Sequence, residues 1–347
     1  MMRVIDMLRK VIVTFTLLIL ITFFVFATSV LFDAGHAQSA GNADWNVNGA
    51  YSDFAQALRN FFGVDQTYHW LTPTLLEKYS VLIIPEPNDP FSPEEQQAIL
   101  QFIHNGGGVF FIADHEGADR NHNGWDAVSI FDEFVGTLGF HFNHDTMSEY
   151  PIKYIKPSPI TLGVKRIGEW GGCTLSLSKN VHPAVKLYTG QVYVAYGEYG
   201  KGRFVAIGDS SPFDDGTGTF GKELYDGWHT GDDSVIAVNS VYWLATGKAT
   251  DTAIYVIPPK ISKISIPSSK KVVVYFNKTI RAFIVPGVNV AIPGMKIERT
   301  SVNGNILTII LLQPLKKGKY TLITRDILDL YGNSSPMNSI HFEYRGK

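Results

Sequence analysis

Four short, uninterrupted apolar runs do most to limit what this chain can fold into: Val30-Leu31-Phe32, Val81-Leu82-Ile83-Ile84, Val109-Phe110-Phe111-Ile112-Ala113 and Phe204-Val205-Ala206-Ile207. Apolar at consecutive positions and too brief for buried helices, they read as strands covered on both faces. Helix signals lie between them. Tyr51–Phe62 repeats Phe54, Leu58, Phe61 and Phe62 on one stripe and stops at Gly63. Thr72-Pro73 supplies a cap and a first helical proline, and Ser92-Pro93-Glu94-Glu95 is a capping box opening a helix to His104. Further helices are predicted from about Ala127 to Leu138 and, capped by Asp232-Asp233, through Leu244. This alternation predicts an α/β domain over 28–247 with a flavodoxin-like, doubly wound parallel sheet. Residues 140–200, rich in Gly, Pro and short β-prone runs, read as an insertion or sheet extension.

Three of the strands end in groups able to bind metal or move protons: Asp33 with His36, Asp114 with His115, and Asp209 with Ser210. In a doubly wound sheet the carboxyl ends of the strands share one edge, where such folds bind ligands. Carboxylates converging there repel one another unless a cation intervenes. Imidazoles and carboxylates together suit zinc, manganese or iron, which can activate a water. The expectation is therefore a divalent transition metal held by Asp33, His36, Asp114, His115 and Asp209. His36, His115 and Asp114 are the candidates for catalysis, and Asp215, Trp228 and His229 for substrate contacts. Beyond His115, the spacing Asp119-x-Asn121-x-Asn123-Gly124, with Asp126 two residues on, predicts a structural calcium loop. Its twelfth position is Ile130, where an EF-hand has Glu. The plainer readings are that strand-end aspartates cap the following helices and that Asp214-Asp215-Gly216 is a solvated turn.

A length of 347 residues suggests two domains, and a formal net charge of −2 leaves no footprint for nucleic acid. The single cysteine, Cys173, excludes a disulfide framework or a multi-cysteine zinc site and reads as a small buried residue. Arg3, Arg9 and Lys10 precede an apolar run from Val11 to Ala27, a signal-peptide pattern predicting cleavage near Ala27 and a secreted, periplasmic or cell-surface protein. An uncleaved membrane anchor is the alternative. Residues 248–260, with Pro258-Pro259, read as a linker. From Ile261 the pattern changes to period-two strands (Val272–Phe276, Ile306–Leu312, Tyr320–Thr324) separated by turns such as Asn303-Gly304, predicting a small β-sandwich.

Two resemblances follow from particular residues. Ser80–Pro87, Phe91-Ser92-Pro93-Glu94-Glu95 and Gly106-Gly107-Gly108-Val109-Phe110-Phe111 resemble the class I glutamine amidotransferase-like fold over about 29–246, in the branch of ThuA-like and gliding-motility-type proteins. Amidotransferases place a cysteine after the strand that here ends in Asp114-His115, so glutamine hydrolysis through a thioester is not expected. Val273–Ile280, Pro314–Leu322 and Asp329-Leu330-Tyr331-Gly332-Asn333 resemble bacterial Ig-like modules over 261–347, implying a spacer or adhesion role. Two functions follow. The first is an exported metal-dependent hydrolase of phosphoesters or related esters, acting on a small-molecule or polymeric substrate. The second is a calcium-stabilised binding module for a glycan or cell-surface partner, for which Trp45, Trp125 and Trp228 would suit sugar stacking.

Overall fold

The computed structural model describes residues 28–36, 44–218 and 225–346, and the predicted signal segment lies outside them. The chain opens with β1 (Ser29–Asp33), α1 (Ser52–Leu58), β2 (Gly63–Thr67), the single turn α2 (Pro73–Leu76), β3 (Val81–Pro85), α3 (Pro93–His104), β4 (Gly108–Ile112) and α4 (Ala127–Asp132). Short strands follow: β5 (Phe140–Phe142), β6 (Met147–Ile152), β7 (Tyr154–Ile155), β8 (Ile167–Gly172), β9 (Leu175–Leu177), β10 (Val181–Lys186), β11 (Val192–Tyr199) and β12 (Gly202–Ile207). Two helices, α5 (Asp233–Thr246) and the one-turn α6 (Ala253–Val256), then lead to the C-terminal strands.

The main sheet runs β2-β1-β3-β4-β12-β11-β10-β7. It is parallel from β2 to β12 and antiparallel beyond. The expected all-parallel sheet is thus a mixed one. The reason is local: β11 and β12 are joined by Gly200-Lys201, with Gly200 at φ 61, and so short a turn permits only antiparallel pairing. Within residues 140–200, β6 and β8 pair separately as a two-stranded ribbon. Strand β2 went unanticipated because Gly63-Val64-Asp65-Gln66-Thr67 is polar and largely exposed, as an edge position allows.

Alternation along each strand decides which core it feeds. Val30, Phe32, Val81, Ile83, Phe110, Ile112, Val205 and Ile207 pack with residues of α1 and α5. Leu31, Leu82, Ile84, Val109, Phe111, Phe204 and Ala206 pack with residues of α3 and α4 on the other face. The helix starts follow their caps: Thr72 accepts from the Leu75 amide, and Ser92 and Glu95 close a reciprocal box. Asp232 differs. Its carboxylate accepts the Lys165 and Arg166 amides instead of capping α5. The helix predicted over 127–138 breaks after Asp132 and resumes as a 3-10 turn at Val135–Leu138.

The C-terminal region contains β13 (Ile261–Ser268), β14 (Lys271–Phe276), β15 (Val290–Ala291), β16 (Ile297–Asn303), β17 (Ile306–Leu311), β18 (Gly318–Thr324) and β19 (Asn338–Tyr344). They form two antiparallel sheets, β13-β14-β17-β16 and β15-β18-β19, around one core that includes Val272, Val274, Leu307, Ile309 and Leu322. The 248–260 segment is tied down rather than loose. Thr252 is buried and bonded to Asn239 of α5. Lys278 Nζ donates to the carbonyls of Ile254 (2.6 Å) and Ile257 (2.8 Å), and meets Asp329 Oδ2 at 2.5 Å. Tyr255 packs between Phe61 of the α/β region and Tyr331 of the C-terminal region, so both regions grip this turn.

Candidate functional site at the carboxyl rim

The ends of β1, β3, β4 and β12 do lie side by side, but the five predicted metal ligands fall into two clusters. Asp33 is turned toward its own loop: Oδ1 accepts the Gly35 amide (3.0 Å) and Oδ2 meets His36 Nδ1 at 2.8 Å. The other ring nitrogen, His36 Nε2, lies 3.2 Å from Glu95 Oε1, and Phe91 packs against the ring. Burial alone would lower the pKa of this imidazole. The flanking Asp33 and Glu95 reverse that and raise it to about 10, so the ring is a cation at neutral pH. Burial likewise opposes ionisation of Glu95, but hydrogen bonds from His36 and the Leu71 and Ser92 amides hold it at about 2. His36 is thus a buried ion-pair centre.

The second cluster joins β3, β4 and β12. Glu86, buried and directly after β3, has φ 40, a left-handed conformation that costs of order 1–3 kcal/mol for a residue with a Cβ. Its carboxylate receives Arg120 Nε and, at 2.7 Å, the Ser210 hydroxyl. Arg120 Nη2 donates to Asp114 Oδ2 at 2.6 Å, and Ser210 lies 3.3 Å from the same oxygen. One guanidinium therefore bridges two buried carboxyls and lies 5.0 Å from the centre of the Trp45 ring. The sequence had implied a cation between these strand ends, and Arg120 supplies one. Burial and Asp114 push Glu86 well above the usual carboxylate range while Arg120 pulls the other way; the guanidinium itself, despite burial, is held still more firmly protonated by its two partners.

Asp209 accepts the Trp170 amide at 2.6 Å and the Ser211 amide at 2.9 Å, yet burial and Asp114 push its pKa up to about 7. Next to it in charge, Glu169 on β8 is fully buried with no hydrogen-bond partner on either oxygen. Burial, then Asp209, Asp145 and Glu149, raise Glu169 to about 9, which makes it a neutral acid at pH 7. Asp214 accepts the Trp45 indole at 2.5 Å and is likewise pushed up by burial and Asp209. Cys173 is buried as expected, and burial raises its thiol further. His115 is half-exposed; Nδ1 lies 2.7 Å from the Glu116 carbonyl and Nε2 3.8 Å from Asp114. Among the described residues, no three His, Cys, Asp or Glu side chains stand together so as to hold a metal.

The Asp119–Asp126 loop folds as a knot on the β3–α3 connection. Asn121 and Asn123 each donate to the Asn88 carbonyl and to Asp89 Oδ1, and Asp119 accepts the amides of Asn123 and Gly124. Asp126 is occupied elsewhere, accepting Gly117 and capping α4 through Ser129. Asp215 accepts Ser52 Oγ and the Asp53 amide at the start of α1. Trp228 is buried against Phe54. His229 lies between Asp226 (2.7 Å) and Asp53 (3.5 Å), which raise its pKa against the effect of burial. Trp228 and His229 line a cavity of about 270 Å³ together with Asp326, Asn333 and Ser335 of the C-terminal region. Trp45 and Trp228 are too deeply buried to stack on a sugar.

Sequence reasoning missed Glu86, Glu169 and Arg120. Glu86 follows its strand just as Asp33, Asp114 and Asp209 follow theirs, so the same rule would have found it. Arg120 sat at a filler position of the Asp-x-Asn-x-Asn spacing and gave no signal.

A family model described as an ABC-type uncharacterized transport system matches residues 28–151, less than half of the chain. No curated protein sequence matches. Among solved structures, the mmIFT52 N-terminal domain is similar at 17% identity and a TM-score of 0.50, covering 63% of this chain and 98% of that one. The cytoplasmic protein STM1381 from Salmonella typhimurium LT2 is similar at 13% identity and a TM-score of 0.45, covering 63% and 100%. A ThuA-like protein from Parabacteroides merdae is similar at 16% identity and a TM-score of 0.39, covering 65% and 92%. At these identities the likeness is one of fold: a mixed sheet, parallel from β2 to β12, flanked by helices.

Proposed function

We propose that this protein is a recognition domain without hydrolytic chemistry, exported through its N-terminal apolar segment and carried beside an Ig-like β-sandwich spacer. One observation carries the reading. Arg120, bridging Glu86 and Asp114, sits where the strand ends would otherwise need a cation. Asp209 is likewise engaged by two backbone amides and Asp33 by His36. The rim's charges are spent on holding the loops around it, which favours a rigid recognition surface. Calcium belongs to the same proposal. Asp89, Asp119, Asn121 and Asn123 gather hard oxygen donors with two carboxylates in one knot, and these residues would hold the ion.

The second reading is the metal-dependent hydrolase, with zinc, manganese or iron drawing its ligands from Asp33, His36, Asp114, His115 and Asp209, no three of which stand together among the described residues. What favours it is Asp209, whose pKa near 7 suits proton transfer. Metal analysis and a screen of phosphoesters and acyl esters separate the two. The recognition reading expects calcium alone and no turnover. Turnover together with a bound transition metal, both lost in Asp114→Ala, would overturn it.

A further inference from the structure

At the β1 end of the rim, beside the His36 ion pair, lies a half-open groove of about 410 Å³, within the size range of small-ligand sites. Two of its walls are unusual for a soluble surface. Tyr68 and Trp70, two residues apart on the β2–α2 loop, are 62% and 68% exposed. The loop that carries them is fixed. Gly35 packs so closely on the Tyr68 backbone that an added Cβ would come within 3.2 Å of it. Gln66 donates to the Tyr68 hydroxyl, and the Leu71 amide is bonded to Glu95. On the opposite wall Asp89 is held by the amides of Asn121 and Asn123, with Ser92 next to it.

The lining chemistry narrows the ligand. No Lys or Arg lines the groove, the charge of His36 is taken up by Asp33 and Glu95, and the carboxylates of Asp89 and Glu95 line it, which disfavours phosphates and other anions. No Leu, Ile, Val or Met lines it either, so it lacks the aliphatic anchors of a peptide-binding pocket. Exposed aromatic faces opposite a fixed carboxylate and a hydroxyl suit a ligand with C–H faces and many hydroxyl groups. Resting on the recognition reading above, we propose that the Tyr68–Trp70 groove binds a neutral polysaccharide, its sugar faces stacked on the two aromatics and its hydroxyls donating to Asp89.

The test is affinity electrophoresis of the full chain in gels containing soluble neutral polysaccharides, with a printed oligosaccharide array as a second probe. Wild type is expected to be retarded by at least one of them, with a blue shift in tryptophan emission. Trp70→Ala should abolish retardation and Tyr68→Ala weaken it at least tenfold, with circular-dichroism melting unchanged because both side chains are largely exposed. Phe283→Ala, an 84% exposed aromatic of the C-terminal domain, should change nothing. Binding that survives Trp70→Ala, or wild type that binds no saccharide on either probe, overturns the assignment. Either result leaves the recognition reading standing, since that reading fails only on Asp114-dependent turnover.

Discussion

Replacing Glu169 by glutamine removes one ionisable proton from a site where neither carboxyl oxygen has a partner. In the unfolded chain this carboxyl releases its proton near 4.5, whereas the folded protein holds it up to about 9. Between those values the native state binds one proton more than the unfolded state, so this residue makes stability fall as pH rises. Each pH unit above 4.5 costs about 1.36 kcal/mol, giving about 3 kcal/mol at pH 7. Glutamine carries no such cost. Urea unfolding of both proteins from pH 5 to 9 is expected to show Glu169→Gln more stable at neutral pH, by up to that amount. The difference should widen with pH and level off beyond about 9, where the wild-type carboxyl ionises in place. A variant less stable than wild type at every pH, or a difference that ignores pH, would refute the claim that Glu169 is an unpaired neutral acid.

Arg120→Met leaves Glu86 and Asp114 buried without their shared cation and is expected to cost about 3–5 kcal/mol at neutral pH. Denaturant titration should find a smaller loss at pH 5, where a carboxyl already pushed upward can take a proton; an equal loss at both pH values would argue against a charge effect. His36 makes stability fall with rising pH as Glu169 does, but by losing a stabilising ion pair rather than by a growing cost of burial. With its pKa raised from 6.5 to about 10, its ion pairs contribute fully below about 6.5, and that contribution fades as pH rises through 10. The stability gap between wild type and His36→Gln should therefore narrow over that window, and nitrogen NMR should find the ring still doubly protonated at pH 8.5. Lys278→Met removes the cation beside the buried Asp329 and frees the carbonyls of Ile254 and Ile257, an expected loss of about 3 kcal/mol. Limited proteolysis should then cut within 248–260, which stays intact in wild type.

The parallel half of the sheet was legible because Val30–Phe32, Val81–Ile84, Val109–Ala113 and Phe204–Ile207 are covered on both faces, and double burial writes itself as an unbroken apolar run. The caps at Thr72 and Ser92 were legible for the same local reason. Strand β2 was not, because an edge strand can be polar. Nor was the sense of β11, which depends on how few residues separate it from β12. At the rim, strand endings placed Asp114 and Asp209 near one another but said nothing about how each would be neutralised. That depends on Arg120, brought back by a loop whose path follows from Asn88 and Asp89, more than 30 residues earlier in the chain. The segment at 248–260 looked like a spacer because its prolines are local, whereas the contacts that fix it come from Phe61, Lys278 and Asn333.

A guanidinium differs from a metal ion in one further respect: it cannot be exchanged with the medium or stripped by a chelator. If Arg120 were lost on its own, the loop would be left with two stranded acids and an unstable protein. A metal centre could arise at these strand ends only if the incoming ion took over from the arginine in the same step.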